Sequence, residues 1–285
     1  MAPVHVVCDS TADLDLDFRA AHDVRVVPLK VIFGDDVLED GVDIDAAAFY
    51  ARMRTSAGHP RTSQPTPAEF EAVFRELGAD GGAIVCTTIS ADLSGTYASA
   101  IQARAAFPDL DIRVLDTRSA AVGHYAMVRQ AARAAEAGGT ADEVETAMAA
   151  AAATMRLLFT VETLEYLRRG GRIGGARALL GSMLDIKPIL GIRDGVIEAV
   201  DRVRTYARAL DRLVADVSAA AASWGGADIL LGDADRADVA DRIGRQLAAV
   251  PGATVIRTAV GPTIGCHSGP GAIGIAFHKP VTPTT

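Results

Sequence analysis

The stretch from Gly82 to Ala100, GAIVCTTISADLSGTYASA, places the tightest constraint on what this chain can fold into. An apolar run containing β-branched residues, Ala83 to Cys86, breaks into small hydroxylated residues and then into a helix-like segment beginning near Ser94. Ser94-Gly95-Thr96 therefore sits where a buried strand hands over to a helix N-terminus. Such a terminus has unpaired backbone N–H groups and the positive end of the helix dipole, and it favours an anion. Ser94 either caps those amides itself, the commoner arrangement, or shares them with a ligand carboxylate or phosphate.

The flanking sequence repeats the strand-then-helix pattern. Val4 to Cys8 reads as a buried strand, and the following DSTADL places Ser10 and Asp13 in a capping-box-like helix start. Val24 to Phe33 is a second β-rich run in which Pro28 marks an edge or a bulge, followed by an acidic turn region over Gly34 to Gly41. DIDAAAFYARMRTSAG is helical to Gly58. Thr66-Pro67-Ala68-Glu69 opens the next helix with a Thr cap, Pro at the first position and Glu at the third, leaving Thr62-Ser63-Gln64-Pro65 as a constrained loop. DIRVLDTRSA is a strand ending in Asp116-Thr117; a long Ala-rich helix runs from there to Gly138-Gly139, and Thr140 to Glu143 caps another. Alternating strands and helices of this kind form an α/β domain with a largely parallel sheet, expected over residues 1–155.

After about Ala153 the pattern changes. A strand, a short helix and a Gly/Arg loop lead to two β runs flanking Asp194-Gly195, a hairpin signal. A helix (Tyr206 to Ala222), a strand (Asp228 to Leu231), a helix (Ala234 to Ala249) and a strand (Thr254 to Val260) follow, and GPTIGCHSGPGAIGIAF reads as a glycine-rich loop entering a final apolar strand. A hairpin mixed with helices indicates a second, α+β domain with a mixed sheet over residues 156–285. No internal repeat and no long linker interrupts the chain.

With 285 residues the chain can build two substantial cores; 49% hydrophobic but only 5% aromatic residues means that Ala, Val, Leu and Ile must fill them. A net charge of −8 argues against a nucleic-acid surface. Cys8, Cys86 and Cys266 are odd in number and far apart, so neither a disulfide framework nor a zinc site is expected, and a reducing cytosol is the expected home. The N-terminus lacks a signal-type pattern, and the longest apolar run, Met148 to Val161, contains Arg156 and is too short for a membrane span. A cytoplasmic protein is the expectation.

No phosphate-binding P-loop, dinucleotide fingerprint, HExxH or EF-hand occurs, and DLSGTY is not a GxSxG nucleophile elbow. No ATP, dinucleotide or metal site is therefore expected, and no cofactor. The chain does offer small polar loops at strand ends, where ligands bind in open α/β sheets: Asp9-Ser10, Thr62-Ser63, Ser94-Gly95-Thr96 and Asp116-Thr117. Hydroxyls and amides without Lys or Arg nearby suit a single carboxylate better than a polyphosphate. Asp9, Ser10 and Thr117 read as independent caps and turns. His267, in IGCHSGPG, has flanking glycines that allow close approach of the backbone to a partner. Adjacent Cys266 and the lack of a second suitably spaced ligand speak against a metal there. Arg204, in DRVRTYA, and Arg168, Arg169 and Arg172, in RRGGRI, read as solvated surface arginines.

Taken together, DSTADL, TSQPTPAEF, ISADLSGTYASA, LDTRSAAVG, LEYLRRGGRI, IKPIL, VRT and GPTIGCHSGPGAIGIAF resemble the DegV family, whose members include the FakB-type acyl-binding subunits of bacterial fatty acid kinase. The resemblance covers nearly the whole chain. It implies two α/β domains with a fatty acid between them and a carboxylate held by Thr62 and Ser94, with Gly95 and Thr96 in the same turn and His267 close to the headgroup. It further implies a lipid carrier with no catalytic site of its own, whose ATP-dependent kinase partner makes an acyl phosphate, and transient membrane contact during lipid exchange. Arg204 matches the position used for partner docking or phosphoryl transfer; Cys266 and Ser268 stand where Thr is frequent. A side chain at Gly95 would crowd the headgroup. At about 0.8 kcal/mol per buried methylene, fourteen or so methylenes approach ~11 kcal/mol before entropy costs, so the acid should bind enclosed. Two other readings stand beside this one: a hydrolase using Ser94 and His267 with an acid such as Asp9 or Asp116, and a sensor of another small carboxylate.

Overall fold

Alternation along the first strand sets the layering. The computed structural model describes residues 3–182 and 186–281. In chain order the first half contains β1 (Val4–Asp9), α1 (Leu16–Ala21), β2 (Arg25–Val27), β3 (Lys30–Phe33), β4 (Asp36–Glu39), α2 (Ala46–Thr55), β5 (Arg61–Ser63), α3 (Pro67–Leu77), β6 (Ala83–Thr88), α4 (Thr96–Arg104), β7 (Ile112–Asp116), α5 (Val122–Glu136) and α6 (Ala141–Ala152). Val6 and Cys8 of β1 face α5 and α6, whereas Val7 faces Phe70, Phe74 and Ala100 of α3 and α4. This two-residue period buries both faces of a parallel sheet ordered β2-β1-β6-β7 between helices.

The second half contains β8 (Arg156–Thr160), α7 (Glu165–Arg169), β9 (Lys187–Arg193), β10 (Val196–Val203), α8 (Tyr206–Trp224), β11 (Ala227–Asp233), α9 (Ala237–Ala248), β12 (Ala253–Ala259), α10 (Pro262–Ser268) and β13 (Ile273–His278). Its sheet, β10-β9-β8-β13-β11-β12, is mixed, with only β11 and β12 parallel. Asp194 and Gly195, both at positive φ, make the expected two-residue hairpin turn between β9 and β10. One sheet face packs on α8 and α9 through Leu213, Val217, Ile243 and Leu247. The other offers Leu157, Leu230 and Ala276 to α5. Helix α5 thus lies between the two sheets, and every residue from Val122 to Ala132 is buried. This buried stretch is rich in alanine but not apolar throughout: His124, Arg129 and Gln130 lie in it, and Arg129 stands 3.3 Å from Asp228.

The expected α/β architecture, parallel sheet first and mixed sheet second, is present, with three local departures. The β-rich run over Val24–Phe33 is two strands in different sheets: Pro28 cannot donate to a ladder, and the chain turns there from the parallel sheet into an antiparallel one, β4-β3-β5. That sheet takes in the acidic turn region as β4 and the Thr62 loop as β5. Its Val31 and Phe33 pack with Val161, Leu164 and Leu190 of the second half. DSTADL is not a single helix start: Asp9 accepts from the Thr11 amide, Ser10–Ala12 form one 3-10 turn, Asp13 is left-handed, and α1 begins under its own cap, Asp15. The glycine-rich segment holding His267 is largely helical: Gly261 caps α10, Pro262 opens it, and Gly269 ends it at positive φ. Among the described residues, no helix is long and apolar enough to cross a membrane.

Candidate functional site

A cavity of about 850 Å³, counting its open mouth, lies between the carboxyl edge of the parallel sheet and one face of the mixed sheet. From the first half, Leu29, Ile89, Leu93 and Ala120–Val122 line it; from the second, Phe159, Leu167, Ile192, Ile197 and Ile273 are among the residues that do. Ala121, at the mouth of α5, holds φ +50°, a conformation costing a β-carbon roughly 1–3 kcal/mol and concentrated at functional sites.

Polar side chains on this apolar wall come from four elements. Thr62 comes from β5, Ser94 from the β6–α4 loop, His267 from the last turn of α10, and Arg172 from the segment after α7. Thr62 Oγ1 is 2.9 Å from His267 Nε2. Ser94 Oγ is 2.8 Å from Thr96 Oγ1. Arg172 donates through Nε to the Leu93 carbonyl at 3.0 Å and through Nη1 to the Gly170 carbonyl at 2.7 Å, which brings its guanidinium beside Ser94. Burial first, then Arg172 and His59, push the imidazole of His267 down to about 4, so it is neutral at physiological pH. His267 Nδ1 is buried without a hydrogen-bond partner. A β-carbon on Gly170 would stand 2.0 Å from that nitrogen, so the glycine is required by close approach.

Of the residues singled out from sequence, Thr62, Ser94 and His267 line one cavity. Gly95 and Thr96 stand behind the wall. Gly95 caps α4, whose first amide, Thr96 N, donates to Ser94 Oγ at 3.4 Å, and a β-carbon on Gly95 would meet the Gln64 amide at 2.3–2.8 Å. The TSQP loop docks on α4 at this point, with Gln64 Nε2 donating to Ser99 Oγ at 3.2 Å. Thr96 orients the Ser94 hydroxyl. Arg204 is exposed just beyond β10 and is not on the cavity wall. Arg168 and Arg169 are exposed, as read from sequence, and each pairs with Glu165. Arg172 is not a solvated surface arginine, and a cation does stand beside the hydroxyls. Neither point was legible, because the two glycines before Arg172 say only that the chain turns there.

The geometry differs from a Ser–His–acid relay. His267 Nε2 faces Thr62 rather than Ser94, and its Nδ1 has no acid. Asp9 is occupied by Thr11 and by the Ile89 amide, and Asp116 by the amides of Ala91 and Arg118. Ser10 donates to Asp40, and Thr117 to the Thr88 carbonyl, both local structural bonds. Among the described residues, no cluster of His, Cys, Asp or Glu could hold a metal ion.

Comparison with known proteins gives a consistent result. A family model described as "Uncharacterised protein, DegV family" matches residues 3–279. A DegV domain-containing protein of Streptomyces coelicolor is 41% identical over 280 residues, covering 95% of this chain and 97% of its own. A fatty-acid-binding DegV family protein from Thermus thermophilus superposes with a TM-score of 0.92 at 32% identity, covering 98% of this chain and 100% of that one. DegV from Bacillus subtilis, described as a fatty acid binding protein, gives 0.91 at 28% identity with the same coverage. A stearic-acid-binding protein from Eubacterium ventriosum gives 0.86 at 29%, covering 98% of both chains. On sequence, on fold and over nearly its whole length, this chain belongs to the DegV family.

Proposed function

We propose that this protein binds a long-chain fatty acid and presents it to a separate ATP-dependent kinase subunit, which phosphorylates the carboxylate to an acyl phosphate. The observation that carries the reading is the contrast within one cavity: an aliphatic wall for an alkyl chain, with Thr62, Ser94, His267 and Arg172 gathered where a carboxylate would sit. With His267 neutral and its proton on Nε2, the imidazole donates to Thr62 Oγ1. The Thr62 hydroxyl is then free to donate to the carboxylate, as is that of Ser94. Arg172 supplies the counter-charge, and Gly95 and Thr96 support Ser94 from behind. The fatty acids carried by the Thermus, Bacillus and Eubacterium relatives support the same ligand class.

In this reading residues 1–155 and 156–285 are the two units that enclose the ligand, in a cytoplasmic carrier that touches membrane only to exchange lipid. The chain needs no cofactor and leaves catalysis to its partner, and Arg204, exposed beyond β10, is assigned to partner docking or phosphoryl transfer together with His267. Native mass spectrometry of protein purified from cells tests the ligand: a co-purifying fatty acid is expected, and repeated recovery of empty protein that also fails to take up stearate would refute it.

A further inference from the structure

The N-terminal end of α10 opens onto a second, wider cavity of about 1130 Å³, counting its mouth. Asp13 to Leu16, Asp40-Gly41 and Asp45-Ala46 line it from the first half, with Gly261-Pro262 from the second. Five aspartates line it, Asp9, Asp13, Asp15, Asp40 and Asp45, against two arginines, Arg19 and Arg257, of which Arg257 is already paired with Asp241. All five meet neutral donors, Asp13 through a single amide. Asp9 accepts from Thr11 and the Ile89 amide, Asp15 from the Phe18 amide and the Tyr125 hydroxyl, Asp40 from Ser10 and the Thr263 amide, and Asp45 from the Ala48 amide. His124, 3.8 Å from Asp9, is driven towards its neutral form by burial.

Asp13 is the least satisfied. It is 8% exposed; its Oδ1 accepts from the Gly261 amide at 3.0 Å, and its Oδ2 is buried with no partner. Burial and then Asp40 hold its carboxyl well above the usual range, and burial pushes Asp40 up to about 6. Positive charge brought into the cavity would relieve both. Leu16, which lines the cavity, is 76% exposed, and Val42, the residue after Gly41 of the lining, is 64% exposed, two of the three large apolar side chains exposed among the described residues. A small polyamine would answer the carboxylates and leave these side chains in water; a peptide with both basic and apolar residues would answer both.

We propose that this groove docks a basic segment of a partner protein, with a Lys or Arg side chain reaching Asp13 and Asp40 while apolar neighbours cover Leu16 and Val42. The site is separate from the fatty-acid cavity and does not depend on the ligand assigned there. The test is titration of the full chain with a short alternating Lys–Leu peptide, a matched Glu–Leu peptide and spermine. Saturable binding of the Lys–Leu peptide alone is expected, weakened about tenfold by Asp13→Asn and about threefold by Leu16→Ser with Val42→Ser. Should Asp13→Asn fail to fold, Asp45→Asn, which keeps an acceptor for the Ala48 amide, is expected to weaken binding in the same direction. Absence of saturable binding by the Lys–Leu peptide, or equal binding of the Glu–Leu peptide, would overturn the proposal. So would spermine displacing the peptide with no effect of Leu16→Ser and Val42→Ser, which would make the groove a polyamine site.

Discussion

Helix α10 separates two cavities of opposite character. At its C-terminal end His267 faces an aliphatic cavity in which a few polar groups are held neutral or tied to backbone. At its N-terminal end Asp13 and Asp40 face a groove of uncompensated carboxylates. Burial acts on both ends by the same rule, penalising whichever form is charged, and so it moves the two kinds of group in opposite directions. The imidazole loses its proton more readily and the carboxyls hold theirs longer. An apolar cavity can therefore accept an anion only if donors wait for it, and the acidic groove is relieved by protons or by a cation.

The largest expected effect is on the apolar side. Ile192→Asp places an unpaired carboxylate among the residues lining the first cavity; desolvation of roughly 2–7 kcal/mol should reduce stearate affinity by about thirtyfold to a hundred-thousandfold. Circular dichroism of the variant checks that the fold survives, and unchanged affinity would mean that the alkyl chain lies elsewhere. Next comes the headgroup: Thr62→Val with Ser94→Ala removes two donors to a charged group, at about 1.5–3 kcal/mol each, and titration with stearate should show a loss of about a hundredfold to ten-thousandfold. Normal affinity in that double variant would show that the carboxylate is held by other groups.

The third prediction sets the two ends of α10 against each other. Asp40, with its folded-state value raised to about 6, contributes stability that is complete at low pH and is lost as pH rises through about 6. His267, lowered to about 4, contributes stability that is present above its unfolded value of about 6.5 and is lost as pH falls towards 4. Thermal melts between about pH 4 and 6.5 should show stability rising more steeply with pH in Asp40→Asn and less steeply in His267→Gln, each by of order 1–3 kcal/mol. If both variants changed the slope in the same direction, the opposition would be wrong. The smallest effect is expected from Leu16→Ser with Val42→Ser, which should leave stearate binding and melting temperature within about 0.5 kcal/mol of the parent; a larger loss would mean that these exposed side chains belong to the fold.

Much of the fold could be read from local pattern. The Thr66-Pro67-Ala68-Glu69 start is realised as Glu69 accepting from both the amide and the hydroxyl of Thr66, because such a cap involves only residues on one turn. The Asp194-Gly195 turn is equally local. Pro28 was legible as a break, but which sheet each side joins depends on partners far along the chain. In α10, a Gly-Pro start and a glycine stop were visible, yet four glycines in and around so short a helix concealed it. The contact of Gln64 with Gly95 and the half-buried place of Arg172 were illegible for one reason: what packs on them, Gln64 and the carbonyls of Leu93 and Gly170, is set by docking of separate segments.

The sequence by itself determined the α/β class, the order of parallel then mixed sheet, the family, and the identity of Thr62, Ser94 and His267 as residues worth bringing together. These follow from periodicity, turn chemistry and motif, which act over a few residues. Only the tertiary structure decided that β5 carries Thr62 to within 2.9 Å of His267, that Arg172 stands beside Ser94, and that DSTADL lines an acidic groove instead of a ligand edge. Those juxtapositions are made by packing two sheets around one shared helix, α5, and burial energy is indifferent to distance along the chain.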